Sequence, residues 1–156
     1  AVRSVPLHPK LIALGFLGYT GQCNGRLFPD LAEHRSGRFS DAVYKIARYF
    51  DDRRVAEPVA LDWGIEKQMR VLTADRVRPV EIFGYSAEPN EEFKRWAAEF
   101  LMDPDREYIV LWDRFAVYNR RTAFTELAER MGKTVSETFI AHEKSGLPVY
   151  VVLKAK

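Results

Sequence analysis

The sequence predicts an α/β domain: a three-layer sandwich with a mostly parallel central sheet and a C-terminal antiparallel β-hairpin. Three observations carry this reading. Short apolar runs at 58–61, 79–83 and 108–112 alternate with amphipathic helical patterns, the signature of strand–helix–strand units with right-handed crossovers. The runs at 58–61 and 108–112 are apolar throughout, as a strand covered on both faces reads. The tail carries two extended runs around Lys144-Ser145-Gly146, which reads as a hairpin adding antiparallel strands at one edge.

The elements follow in order. Leu11 to Tyr19 is read as a strand, although periodicity alone cannot separate a short buried strand from a buried helix. Residues 20 to 38 hold Gly21, Asn24, Gly25, Pro29, Ser36 and Gly37 with no sustained period, so they read as a long loop. From Ser40, an expected N-cap with Asp41 in the first turn, Val43, Ile46, Ala47 and Phe50 recur at helical spacing. Pro58 to Leu61 is a buried strand, and Asp62 stands where it would cap a helix from Trp63 to about Thr73 with Ile65, Met69 and Leu72 inward. Pro79 to Phe83 is the next strand and Ser86 to Asn90 a turn. Asn90 caps a helix whose stripe is Phe93, Trp96, Ala97, Phe100 and Leu101. After Pro104, Tyr108 to Trp112 is the clearest buried strand. Thr122 is the expected cap of a helix with Phe124, Leu127, Ala128 and Met131 on one stripe and Gly132 at its C-terminal end. Val135 to His142 and Val149 to Leu153 form the hairpin. The expected organisation is one domain over 1–156: strand and loop in 1–38, alternating helices and strands in 39–133, and the hairpin in 134–156.

Composition fits a globular chain. Of 156 residues, 47% are hydrophobic and 29% charged, enough for a core without disulfide or metal support. A single cysteine, Cys23, permits no internal bridge. Twenty-four basic and 22 acidic residues give +2, without the basic stripe that phosphate neutralisation needs, so no nucleic-acid partner is expected. No stretch reaches the ~20 apolar residues of a membrane span. The chain opens Ala1-Val2-Arg3 without Met, and is read as a piece cut from a longer protein.

Few residues point to chemistry. Three segments fall beyond the carboxyl ends of the strands, where open α/β sheets bind ligands: Asp62-Trp63-Gly64, Gly84-Tyr85-Ser86 and Trp112-Asp113-Arg114. Asp62 and Asp113 are candidate convergent carboxylates for acid/base work. The stronger reading makes Asp62 a helix cap and Asp113 a surface or loop-fixing partner of Arg114. Trp63, Tyr85, Trp112, Phe115 and Tyr118 cluster at strand ends, where aromatic faces stack on sugar rings, shield a docking surface, or simply pack. Gly15-Phe16-Leu17-Gly18 lacks dinucleotide-loop spacing, and there is no phosphate loop or nucleophile elbow. His8, His34 and His142 share no ligand spacing, so neither metal nor cofactor is expected.

Two segments, Phe39-Ser40-Asp41-Ala42-Val43-Tyr44-Lys45-Ile46-Ala47-Arg48-Tyr49-Phe50 and Leu61-Asp62-Trp63-Gly64-Ile65-Glu66-Lys67-Gln68-Met69-Arg70-Val71-Leu72-Thr73, carry a resemblance. They resemble the soluble region that follows the transmembrane helices in bacterial relatives of dolichyl-phosphate-mannose-protein mannosyltransferases, multi-spanning glycosyltransferases of the GT-C type. There a W-S-D-A-I-Y … L-A-x-Y-L helix leads to a strand ending L-D-W-G-x-x-x-Q-x-x-x-L-T/S. The motifs cover residues 39 to 85, and Phe39 stands where the pattern often has Trp. The resemblance implies an extracytoplasmic domain, periplasmic or at the cell surface, attached to a transferase that uses polyprenyl-phosphate-linked sugar. Its partners would be the membrane-embedded part of the same protein and a glycan or polypeptide acceptor. It carries over no catalytic residue, only Asp62, Trp63, Gly64 and Gln68 as a recurrent corner.

The expected function is therefore a non-catalytic accessory domain that positions an acceptor. The alternative is a stand-alone α/β ligand-binding domain or small enzyme using Asp62 and Asp113 at the sheet's carboxyl edge, where Tyr85 and Trp112 are further candidate binding residues. A third reading is an interaction module docking through exposed aromatics.

Overall fold

The computed structural model describes residues 40–84, 86, 88–116 and 120–156, all within the compact unit Ser36–Lys156. The expected strand Leu11 to Tyr19, the loop at 20–38, Tyr85 and Tyr118 lie outside the described residues. The elements are α1 Ala42–Asp52, β1 Val59–Ala60, α2 Glu66–Leu72, β2 Val80–Glu81, α3 Glu91–Leu101, β3 Glu107–Leu111, α4 Arg120–Arg130, β4 Val135–His142 and β5 Pro148–Ala155. This is a mixed α/β fold with a five-stranded open sheet in the order β2-β1-β3-β5-β4.

Strand direction corrects the expectation of a mostly parallel sheet. β1 pairs in parallel with β2 and with β3, but β1 and β2 are two residues each. The long ladders are antiparallel: β5 pairs with β3 along all of Glu107–Leu111 and with β4 through seven residue pairs. The physical reason is length, because each strand–helix–strand unit contributes only a short strand whereas β4 and β5 have eight residues each.

Alternate strand residues, following the period of two, divide between two buried clusters. Ala60, Ile109, Leu111, Tyr150 and Val152 pack with Ile46 and Phe50 of α1 and Met69 of α2. Val59, Leu61, Tyr108, Val110, Val151 and Leu153 pack with Phe93, Ala97 and Leu101 of α3 and Phe124 and Ala128 of α4. That division explains why β3 is buried at every position.

Helix ends are fixed individually. Ser40 serves α1, its Oγ accepting the Ala42 N–H at 3.2 Å, while the flanking Asp41 makes no side-chain cap. Asn90 caps α3 as expected, Oδ1 accepting the Phe93 N–H at 2.9 Å. At the end of α4, Gly132 has φ +73° and the Lys133 N–H reaches back to Ala128 O at 2.9 Å, a Schellman closure. Two expectations are corrected. Thr122 lies inside α4, which already includes Arg120. The second helix begins at Glu66 rather than Trp63, because Gly64 has φ +84°, a left-handed turn that helical backbone cannot contain.

Candidate functional site

The Asp62-Trp63-Gly64 corner is built by long-range bonds rather than by helix capping. Asp62 is buried, and its Oδ2 accepts the Leu111 N–H at 2.7 Å, tying the end of β1 to β3. Its expected capping role is corrected by the helix start, since α2 has Ile65 as its N-cap residue and no side-chain cap bond. Glu81 of β2 braces the approach to α2, its Oε2 accepting the Gly64 N–H at 3.0 Å. Burial is the largest influence on the Glu81 carboxyl and raises its pKa, with Glu66 adding a like charge; the backbone N–H groups of Gly64, Glu66 and Ile65 pull the other way. Gln68 Nε2 donates to Gly64 O at 2.9 Å and closes the first turn. Trp63 projects outward and is 45% exposed.

The remaining sequence candidates do not gather around Asp62. Asp113 and Arg114 are both exposed and form no ion pair with each other. Trp112 is half-buried, with its backbone N–H bonded to Val149 O at 2.8 Å and the Arg121 guanidinium 5.6 Å from its ring. Asp62 and Asp113 thus occupy opposite environments, one buried and hydrogen-bonded and the other in solvent. Among the described residues no group of three His, Cys, Asp or Glu is placed to hold a metal, and no helix is long and apolar enough to cross a membrane.

What the structure does assemble at the carboxyl end of β2 is a cleft of about 330 Å³ lined by Glu81, Ile82, Gly84, Glu92 and Trp96. Trp96 was expected on the buried stripe of α3, yet it is 39% exposed because it sits at the flank of that stripe, on the cleft side. Glu92 lies one turn before Trp96, so the i, i+4 relation sets carboxylate and indole on one helix face. The floor is held from below by Arg120, wholly buried, which donates from Nε and Nη2 to Phe83 O at 3.2 and 3.1 Å and from Nη2 to Ser86 O. Its guanidinium carbon stands 4.5 Å from the Phe83 ring centre and 5.3 Å from that of Phe93. A cation is tolerated at that depth because carbonyl oxygens and aromatic faces replace its hydration. The next residue, Gly84, has φ +75°, and a Cβ there would lie 3.1 Å from Asn90 Oδ1, the cap of α3. One arginine, one glycine and one asparagine therefore set the cleft wall.

Sequence reasoning missed Glu81, Glu92, Trp96 and Arg120 as site residues. The signal for two of them was present: Glu92 and Trp96 are four apart, and Trp96 sits at the polar edge of its helix. Arg120 gave none, since an arginine at a helix start reads as solvent-facing. Comparison with protein-family models, with curated proteins and with solved structures finds no match for this chain.

Proposed function

We propose that this is a non-catalytic accessory domain of a membrane glycosyltransferase that uses polyprenyl-phosphate-linked sugar, lying on the extracytoplasmic side and holding the acceptor in the Glu92–Trp96 cleft. The observation that carries the reading is the cleft itself: an exposed indole face beside a carboxylate, at the carboxyl end of the parallel strands where α/β sheets bind ligands. The corner motif supports it in a second way, because the Asp62 carboxylate is committed to the Leu111 N–H and so has a structural task. Within this reading the domain is a three-layer sandwich, with α1 and α2 on one sheet face, α3 and α4 on the other, and the β4–β5 hairpin closing the sheet.

The test is sugar transfer by the full-length natural protein from a polyprenyl-phosphate-linked donor. Trp96→Ala is expected to raise the acceptor KM about tenfold, leaving kcat and the donor KM unchanged. A fall in kcat at saturating acceptor would contradict a non-catalytic role, and no transfer by the unaltered protein would contradict the transferase assignment. A second reading, a stand-alone ligand-binding domain, is favoured by the cleft being lined by residues of this one domain. Full ligand affinity in a protein without transferase activity would select it.

A further inference from the structure

Among the described residues β2 is the outer strand of the sheet, and no described residue pairs with its outward edge, which borders the cleft. The Val80 and Ile82 N–H groups donate inward, to Pro58 O and Ala60 O of the β1 side, at 2.9 and 3.0 Å. In a parallel ladder the residue between two inward-bonded ones directs its N–H and C=O the other way. Glu81 therefore presents both main-chain groups to the open edge. The flanking outward positions offer less: Pro79 has no N–H, and Phe83 O already accepts from Arg120. Glu81 is thus the residue of this edge best placed to make a pair of main-chain bonds, and so short an edge does not template indefinite pairing.

Beside that residue stand Trp96 and Glu92 of α3. Glu92 makes no ion pair among the described residues, since the nearby Lys94 is engaged by Glu91 at 2.6 Å. Among the described residues, those lining the cleft include the acids Glu81 and Glu92 and no base. An indole face next to an unneutralised carboxylate suits an organic cation better than a neutral sugar.

We propose that the occupant of the cleft is an extended polypeptide segment that adds to the edge of β2 through the Glu81 main chain and lays a lysine or arginine side chain over Trp96 to pair with Glu92. This rests on the reading of the cleft as an acceptor site and names the acceptor class. It follows the logic of strand addition, in which main-chain bonds give register and a side-chain pocket gives selectivity. Because one residue supplies the register, the basic side chain carries most of the discrimination.

The experiment is calorimetric titration of the whole 156-residue chain with an acetylated, amidated Thr-Val-Arg-Val-Thr peptide. Replacing the peptide's arginine by norleucine is expected to weaken binding about tenfold. Glu92→Gln should weaken it by a similar factor, and the two changes together should cost little more than either alone, since they remove the same pair. Trp96→Leu should also weaken it. Glu92 and Trp96 are both exposed, so these variants keep the fold. Two N-methylated peptides test strand addition: methylation of amides on one alternate set should abolish binding, and methylation of the other set should leave it unchanged. Equal effects from both sets, or binding indifferent to Glu92→Gln and Trp96→Leu, would overturn the proposal. If maltotriose binds in a Trp96-dependent manner and the peptide does not, the acceptor class is wrong and the cleft reading survives. If neither binds, both fall.

Discussion

Asp62 joins two parallel strands through a buried contact, its carboxylate receiving the Leu111 N–H at 2.7 Å. That N–H terminates β3 at the point where ladder pairing with β1 has ended, and it has been withdrawn from water. Asp62→Ala leaves the donor unsatisfied, for which the general cost of losing a buried charged partner is about 2–3 kcal/mol. Asp62→Asn keeps an oxygen acceptor and should cost about 1 kcal/mol. Urea unfolding midpoints measure both, and equal losses would show that the carboxylate oxygen is not the operative group. An aspartate before a helical pattern reads as a cap from sequence alone. Nothing local reveals that the chain turns left-handed at Gly64 and that the helix starts only beyond it, with Ile65 at its N-cap.

Among the elements, α3 and its approach segment are the most tightly specified. Asn90 Oδ1 caps the helix and simultaneously limits residue 84, where a Cβ would come within 3.1 Å of it. Asn90→Ala should cost about 1 kcal/mol. Gly84→Ala should cost about 1–2 kcal/mol, since alanine must hold φ +75°. Removing the Asn90 side chain also removes the crowding, so the double variant should lose less than the sum of the singles, a non-additivity of about 0.5 kcal/mol or more. Strict additivity in a double-mutant cycle would contradict the contact. Here the sequence was legible, since the helical stripe after Asn90 and the cap itself follow from residue type and spacing. The side of α3 that Trp96 takes was not, because a residue at the flank of an apolar stripe is buried or exposed according to what packs beside it. At that position the neighbour is the cleft rather than another element.

At the scale of the whole molecule, alternation of apolar runs and amphipathic stripes was enough to predict a mixed α/β fold. It was not enough to set strand direction, because a two-residue β1 or β2 and a five-residue β3 read alike as short apolar runs. The length of the tail strands then makes the antiparallel ladders dominate. The molecule's pH response combines two signs. Asp51, Asp75 and Glu91 have pKa values lowered by hydrogen bonds from Arg76, Arg70 and Lys94 respectively. Their contributions are present above the ordinary carboxylate range and are lost as pH falls through the lowered values, below about pH 4. Glu81 acts oppositely. Its folded pKa is raised above 4.5, so the folded state binds the proton more readily, and the group disfavours the fold increasingly as pH climbs from 4.5 through the raised value. Glu81→Gln removes that dependence. The stability of the variant relative to the unaltered protein should therefore rise between pH 4 and pH 7, read as the difference in urea midpoints at the two values. An unchanged or falling difference would contradict the burial argument.

The central claim is that the cleft between the β2 edge and α3 is the binding surface of this domain. The most direct measurement is a nitrogen-15 NMR titration of the whole chain with the basic pentapeptide. The indole N–H of Trp96 and the backbone amides of Glu81 and Glu92 should move together along one saturable curve, while the amides of Tyr44 and Val71, exposed on α1 and α2, should stay in place. Saturable movement at Tyr44 and Val71 with Trp96 unmoved would place the binding surface elsewhere and contradict the account.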